Sequence, residues 1–527
     1  MSSYFDKNTK RPSRPHEAHS SDGNHPSTEE DGHLHRHDTW SDDIPAGFIP
    51  ETREEKRYNR VVNRKLDIFL LPLLSILYLF SGLDRSNVGN AETEGFTKAI
   101  GASPDDLNLA VSLFFVTFVL FQPVSTAIGR QIGAKHWMPV LMMCWGIVTI
   151  AHSFIKGRGA LITMRLLVGL FEAGFFPTAC FYLSTFYTRF DLAVRIALFY
   201  GNYAVAGAFS GALAYGIFHI QTPPLHSWQY LFVIEGIATA VFGVIAWFWL
   251  PTGPGTARFL SPSQRDFAVM RMQLDNARYV QRHRYGGDGL EKVSERLSRR
   301  DVVETTRDWK TWFALVCNIC ASVPGQAFSV FLPLVVKGLG YESVEANLMS
   351  VPPYVCGAVG LYLFAVSSDI RKERGYHIVG GLVICLVGLI MVVTIQHNGA
   401  RYAALCIMLF GSYVSAPLTI AWLSGNTPEP GKRSLIIGIN GFGNLSGIIG
   451  AQLFRPQYSP RYLTPFYVTL ALIVLSMGGY LSYRGVLKQV NRRRRGKIAG
   501  WSREMMERER VGGERYADRK WTFVYGL

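Results

Sequence analysis

The chain has 527 residues, of which 48% are hydrophobic, 13% aromatic and only 18% charged, with a formal charge of +15 and a mean hydropathy of +0.13. Soluble proteins average roughly 25% charged residues, so this balance excludes a disordered, collagen-like or disulfide-stapled chain. The positive charge fits either a nucleic-acid binder or a membrane protein with basic cytosolic loops, and the placement of the charges decides between them.

Residues 1–60 are rich in Ser, His, Asp, Glu and Pro and contain no apolar run. They predict a disordered cytosolic tail without a cleavable signal peptide. Six histidines (His16, His19, His25, His33, His35, His37) fall there and are read as solvated rather than as a metal site.

Twelve long, almost charge-free stretches follow. The first set covers 67–87, 107–129, 137–155, 160–182, 194–218 and 228–250; the second covers 310–334, 346–366, 376–395, 401–423, 434–455 and 463–484. Each is near the ~20 residues that cross a ~30 Å hydrocarbon core. A surface helix of a soluble protein would show a polar face every 3.6 residues, and Leu231–Leu250 shows none. The fold class is therefore an all-α integral membrane protein, with 12 transmembrane helices in two six-helix halves. The halves span 61–250 and 311–484, joined by a central loop at 251–310 and followed by a basic tail at 485–527.

Orientation follows from Lys and Arg, which favour the cytosolic side. Twelve of them lie between Pro251 and Lys310, others precede the first span (Arg53, Lys56, Arg57, Arg60, Arg64, Lys65), and Arg492–Arg495 follow the last. Both termini are expected inside, the lipid bilayer accounts for the basic charge, and no nucleic-acid partner is implied. The seven cysteines fall within spans, away from any extracellular disulfide framework.

Ionisable groups inside spans cost about 2.5–3.5 kcal/mol each on insertion scales and mark function by default. Span 1 carries Asp84 and Arg85; span 4 carries Arg165 and Glu172. Asp84 and Arg85 point about 100° apart, so one can face a cavity while the other faces a neighbouring helix. Arg165 and Glu172 share a helix face about 10 Å apart. Span 1 runs outward and span 4 inward, which sets Arg85 level with Arg165 and Glu172 two turns lower, near the midplane. A carboxylate at that depth needs a partner or a proton.

These residues carry a resemblance. The run Leu83-Asp84-Arg85-Ser86-Asn87-Val88-Gly89-Asn90-Ala91 is similar to the span-1 signature of the anion:cation symporter branch of the major facilitator superfamily, which includes fungal allantoate and nicotinate permeases. Trp228–Gly236, Phe259–Arg265, Ser350–Tyr354, Trp422–Thr427, Gly443–Gly447 and Pro460–Tyr462 resemble that branch as well. The basic turns Gly129–Lys135 and Asp369–Gly375 stand at equivalent places in the two halves; the second resembles the superfamily's inner-loop signature, and the first lacks the expected acidic residue.

The resemblance implies a proton-coupled symporter of a small organic monoanion such as nicotinate or allantoate, working as a monomer at the fungal plasma membrane. Export of an acidic metabolite, a vacuolar location and a nutrient-sensing role are alternatives on the same scaffold. It implies that Arg85 binds the substrate carboxylate, that Asp84 and Glu172 carry protons, and that Arg165 pairs with Glu172. A planar guanidinium suits bidentate carboxylate recognition. Many relatives have an aromatic residue where this chain has Gly82, which predicts a roomier site.

Gln326 is placed at the cavity; Asn202, Tyr203, Tyr354, Asn440 and Asn444 are further candidates for substrate contact or for interhelical hydrogen bonding, while Glu235 reads as structural. No G-x-S-x-G, H-E-x-x-H or P-loop is present, so neither an enzyme nor an ATP-driven pump is expected, and no cofactor.

Overall fold

A computed structural model describes residues 50, 52–220, 223, 225–284, 299–511 and 517–527. The histidine-bearing tail and residues 285–298 of the central loop lie outside the described residues. Among the described residues every regular element is helical. The long helices are α1 (Arg53–Thr93), α2 (Pro104–Ile132), α3 (Ala134–Phe154), α4 (Gly157–Ser184), α5 (Arg189–Phe218) and α6 (Ser227–Trp249). The second set is α7 (Trp309–Lys337), α8 (Val344–Arg371), α9 (Gly375–Thr394), α10 (Asn398–Gly425), α11 (Gly431–Leu453) and α12 (Leu463–Ile498). Each expected span lies on its helix with at most two residues beyond it. Eleven of them are long and apolar enough to cross a membrane among the described residues. The twelfth, α5, is 30 residues long and carries no Asp, Glu, Lys or Arg after Arg195.

The helix starts follow their sequences. Thr52 and Glu55 form a reciprocal capping box at α1, with bonds of 3.1 and 3.2 Å. Ser103 and Asp106 do the same at α2, just before the proline at its first turn. Between α2 and α3 the chain turns at Gly133, whose φ of +98° is open to glycine and strained for other residues.

The face bearing the start of α1 and the α6–α7 connection is called here the terminal face; the opposite one is the far face. The first half packs α3 on α6, α1 on α5 and α2 on α4, and the second packs α9 on α10, α7 on α12 and α8 on α10. The halves meet through α1–α7, α2–α11 and α5–α8. Their hydrogen bonds gather toward the far face. Ser86 Oγ donates to Ser329 O (2.8 Å), Asn108 Nδ2 to Ala451 O (2.5 Å), Lys337 Nζ to Thr93 O (2.7 Å) and Asn347 Nδ2 to Thr93 Oγ1 (2.9 Å).

At the terminal face each half is braced by polar contacts. In the first, Arg195 pairs with Asp67 at 2.8 Å, and Tyr187 donates to the same carboxylate at 2.9 Å. The helix Pro262–Arg284 docks through the fully buried Arg271, which donates to Asn59 and Asn63 at 2.7 Å each and to Phe186 O at 2.8 Å. At the α8–α9 turn Arg374 pairs with Asp369, and Glu373 receives Arg484 of α12 at 2.9 Å. The equivalent turn of the first half lacks that acid, and there Arg130 instead stacks 5.2 Å over the Phe181 ring.

The basic tail is more structured than the sequence suggested. Helix α12 runs on to Ile498, and residues 517–527 fold back onto the second half. Asp518 receives Lys432 at 2.9 Å and Lys310 at 3.2 Å. Gly526 O accepts from Trp422 and Asn426, while Arg374 N donates to Leu527 O at 2.7 Å. This segment thus ties together the terminal-face ends of α7, α10, α11 and the α8–α9 turn.

Candidate functional site

The charged residues of α1 and α4 converge within the first half. Asp84, Arg85, Arg165 and Glu172 are 2, 5, 3 and 1% exposed. Arg85 sends Nε and Nη2 onto a single oxygen of Glu172, at 2.7 and 2.6 Å. Ser81, one turn earlier on α1, donates to the same oxygen at 2.6 Å. The guanidinium lies over three aromatic rings: Phe118 at 4.6 Å, Tyr203 at 5.4 Å and Phe114 at 5.5 Å. Packing of a cation against ring faces is attractive and strengthens away from water.

Asp84 points elsewhere, as adjacency on a helix requires. Its Oδ1 accepts from Thr149 of α3 at 3.0 Å and from Asn87 at 3.3 Å. Arg165 Nη1 donates to the backbone oxygen of Asp84 at 3.3 Å.

This pairing corrects one expectation. Glu172 is held by Arg85, and Arg165 makes no ion pair among the described residues. The reason is the direction of side chains along a helix, which lean toward its N-terminus. On α1 that lean carries Arg85 toward the terminal face and down to Glu172. On the oppositely running α4 it carries Arg165 toward the far face, away from Glu172 on its own helix. Counting residues for depth placed the Cα atoms but not the charged ends of two long side chains.

A second expectation is also corrected. Gly82 does not enlarge the site, because α5 fills the space: a Cβ there would stand 2.4 Å from Ala206 Cβ. The missing aromatic side chain lets α1 and α5 close together. That approach brings Tyr203 of α5 to Arg85 and supplies a hydroxyl from another helix.

From Tyr203 a polar chain crosses between the halves. Its hydroxyl donates to Gln326 Oε1 at 3.3 Å, and Gln326 Nε2 donates to Asn444 Oδ1 at 3.1 Å. Thus α5, α7 and α11 are linked beside Arg85. Tyr354 lies in the α5–α8 seam, its ring against Gly207 and its hydroxyl bonded to Phe328 O. Asn202 is not brought to the cluster. It donates to Leu198 O of its own helix at 2.9 Å, on the stripe shared with the exposed Leu198, Val205 and Phe209. Sequence reasoning singled out Tyr203 only as one polar residue among several, and the three rings around Arg85 were not foreseen. Their spacing, with Phe114 and Phe118 four apart on α2, was the available signal.

Comparison with known proteins agrees with this architecture. Residues 74–451 match the Major Facilitator Superfamily model. The chain is 33% identical over 462 residues to the MFS-type transporter efuF of Hormonema carpetanum, covering 86% of this chain and 90% of that protein. It is 33% identical over 440 residues to the high-affinity nicotinic acid transporter of Saccharomyces cerevisiae, covering 83% and 78%. Among solved structures, the partially occluded inward-open xylose transporter XylE of E. coli superposes with a TM-score of 0.59 at 12% identity, covering 78% of this chain and 96% of that one.

Proposed function

The chain belongs to the major facilitator superfamily, and from that membership we propose that it is a proton-coupled importer of a small organic carboxylate. The observation that carries this reading is the Arg85–Glu172 pair, buried with three aromatic rings on the guanidinium. Arg85 uses its fork on a single carboxylate oxygen, and Glu172 Oε2 has no hydrogen-bond partner among the described residues. A substrate carboxylate offering both oxygens competes for the same fork. Once displaced, Glu172 is a buried carboxylate without its cation, and it takes up a proton in preference to carrying bare charge. Binding of the anion and uptake of the proton are thereby linked at one residue.

The rings beside Arg85 suit a flat carboxylate, and the similarity to a nicotinic acid transporter makes nicotinate the first compound to try. The chain works at the fungal plasma membrane with its terminal face in the cytosol, where the basic residues of the central loop lie. Asp84 shares the proton-carrying role, Arg165 steadies it, and Gln326 and Asn444 sense occupancy from the other half.

The test is uptake of radiolabelled nicotinate, allantoate and related carboxylates into yeast expressing the protein, in acid and in neutral medium, with and without a protonophore. Uptake of one compound that is greater in acid and abolished by protonophore is the expected result. Surface-expressed protein that moves none of them inward, or moves one regardless of protonophore, would overturn the reading.

A further inference from the structure

Helix α6 carries one charged residue along its length, Glu235, which is 1% exposed. It sits in the seam with α3, pressed there by Gly236: a Cβ at that glycine would lie 2.8 Å from Gly146 O. Among the described residues neither Glu235 carboxyl oxygen makes a well-formed hydrogen bond, and the Asn87 amide is the donor close to it. A glutamate kept only for structure would be satisfied by strong donors, since leaving a buried polar group unpaired is costly and leaving a charged one unpaired is more so.

Glu235 also borders a cluster of unfinished chemistry: Asp84 and Asn87 are its neighbours on α1, and Arg165 in turn lies against Asp84 and near His152. Asp84 Oδ2 and Asn87 Oδ1 on α1, His152 Nε2 on α3, Arg165 Nε on α4 and Thr239 Oγ1 one turn along α6 are all buried without partners. These elements contribute Asp84, His152 and Arg165 as their titratable or charged groups here. Helix α5 carries Arg189, Asp191 and Arg195, all near its terminal-face end, and α2 has no charged residue between Asp106 and Arg130.

The charges do not balance. Asp84, Glu172 and Glu235 are three acids, against the two guanidiniums of Arg85 and Arg165. One guanidinium is committed to Glu172, and the other lies against Asp84. A net negative charge in a dry interior is too costly to persist, so one acid is protonated. Glu235 is the acid with no cation.

We propose that Glu235 is a third proton-carrying residue of the transport cycle, holding the cluster's resting proton and exchanging it with Asp84. In that step the proton leaves a Glu235 oxygen and arrives on Asp84 Oδ2; Glu235 becomes the carboxylate and Asp84 the acid, so total charge is unchanged. Asn87 lies beside both carboxyls and can donate to the one left negative. This deepens the proton-coupled reading above and rests on it for the exchange step, whereas the location of the resting proton does not depend on substrate.

Infrared difference spectra of the purified protein in lipid test that location. The carbonyl stretch of a buried protonated carboxyl should be present in wild type, absent in Glu235→Gln and retained in Glu172→Gln. In cells, Glu235→Gln should lower protonophore-sensitive accumulation by about tenfold while exchange of labelled for unlabelled substrate stays within about twofold. Glu235→Asp should restore part of the accumulation, which a packing role would not allow for a shortened side chain. A band that survives in Glu235→Gln, or wild-type accumulation by that variant, would overturn the proposal. A wild type insensitive to protonophore would instead sink the proton-coupled reading and the exchange step, with the band still marking the resting proton.

Discussion

Gly89 of α1 and Val330 of α7 approach so closely that a Cβ at position 89 would stand 1.7 Å from the Val330 carbonyl oxygen. No rotamer relieves that overlap, because the obstacle is backbone. The α1–α7 contact is part of the far-face seal between halves, together with the Ser86–Ser329 and Lys337–Thr93 bonds.

Replacing Gly89 by valine therefore holds the halves apart at the far face. Uptake should fall by about tenfold or more with expression intact, since the cycle requires this seal to form. A cysteine introduced at Asn90, 1% exposed in the sealed state, should react with an impermeant maleimide from the far side only when Gly89 is also replaced. Full uptake by Gly89→Val with an unreactive cysteine would show that the seal tolerates the wedge.

The Arg85–Glu172 pair allows stability and binding to be separated. Removing Arg85 alone leaves a buried carboxylate uncompensated, a loss of about 3–5 kcal/mol for a broken buried pair. Arg85→Ala should thus be both unstable and unable to bind anion. Adding Glu172→Gln removes the orphaned charge and should recover much of the thermal stability while binding stays lost. Arg85→Lys keeps the charge but loses the planar fork and should bind weakly. If the double variant bound substrate as tightly as wild type, Arg85 would not be the carboxylate receptor.

The Tyr203–Gln326–Asn444 chain joins the halves next to Arg85 and predicts a different phenotype. Tyr203→Phe removes one neutral hydrogen bond, worth about 0.5–1.5 kcal/mol net, and keeps the ring over Arg85. A change of a few-fold is expected. Gln326→Ala severs both links and should slow transport more than it weakens binding, because the chain spans two moving bodies. Equal losses in Km and Vmax for both variants would indicate direct substrate contact instead.

The sequence revealed the architecture because a hydrocarbon solvent leaves a coarse record. Spans were located by the absence of charge, each lying on its helix with at most two residues beyond it while charged helix ends such as Arg53–Leu66 and Gly485–Ile498 were left out, and Asp84, Arg85, Arg165 and Glu172 stood out because each was anomalous there. Their pairing was not legible, since which acid meets which arginine depends on side-chain lean and helix direction. Gly82 misled for a related reason: a missing side chain reads as space in a sequence, while in the structure a neighbouring helix, through Ala206, occupies it. Helix α5 was placed correctly, yet Asn202, a candidate substrate contact, lies on the stripe shared with the exposed Leu198, Val205 and Phe209. Nothing in residues 485–527 announced that their end packs back on the bundle, because its anchors, Lys310, Trp422, Asn426 and Lys432, are scattered across distant segments.

That returning segment carries a pH-dependent prediction. Burial alone would push the Asp518 carboxyl up, but Lys310 and Lys432 beside it outweigh burial and hold it below the usual carboxylate range. A carboxyl whose value is depressed on folding contributes stability above its unfolded value and loses that contribution as pH falls through the folded one. Docking of 517–527 should therefore be firm at neutral pH and loosen only in acid below the ordinary aspartate range. Asp518→Asn should remove the acid step and weaken docking at neutral pH, because Lys432, 4% exposed, loses a carboxylate partner while keeping Asp308 at 2.7 Å. Limited proteolysis of the tail, followed across pH in both proteins, reads this directly. Wild type should become cleavable only in acid and Asp518→Asn at every pH; identical profiles would mean that the Gly526 and Leu527 contacts hold the segment without the ion pairs.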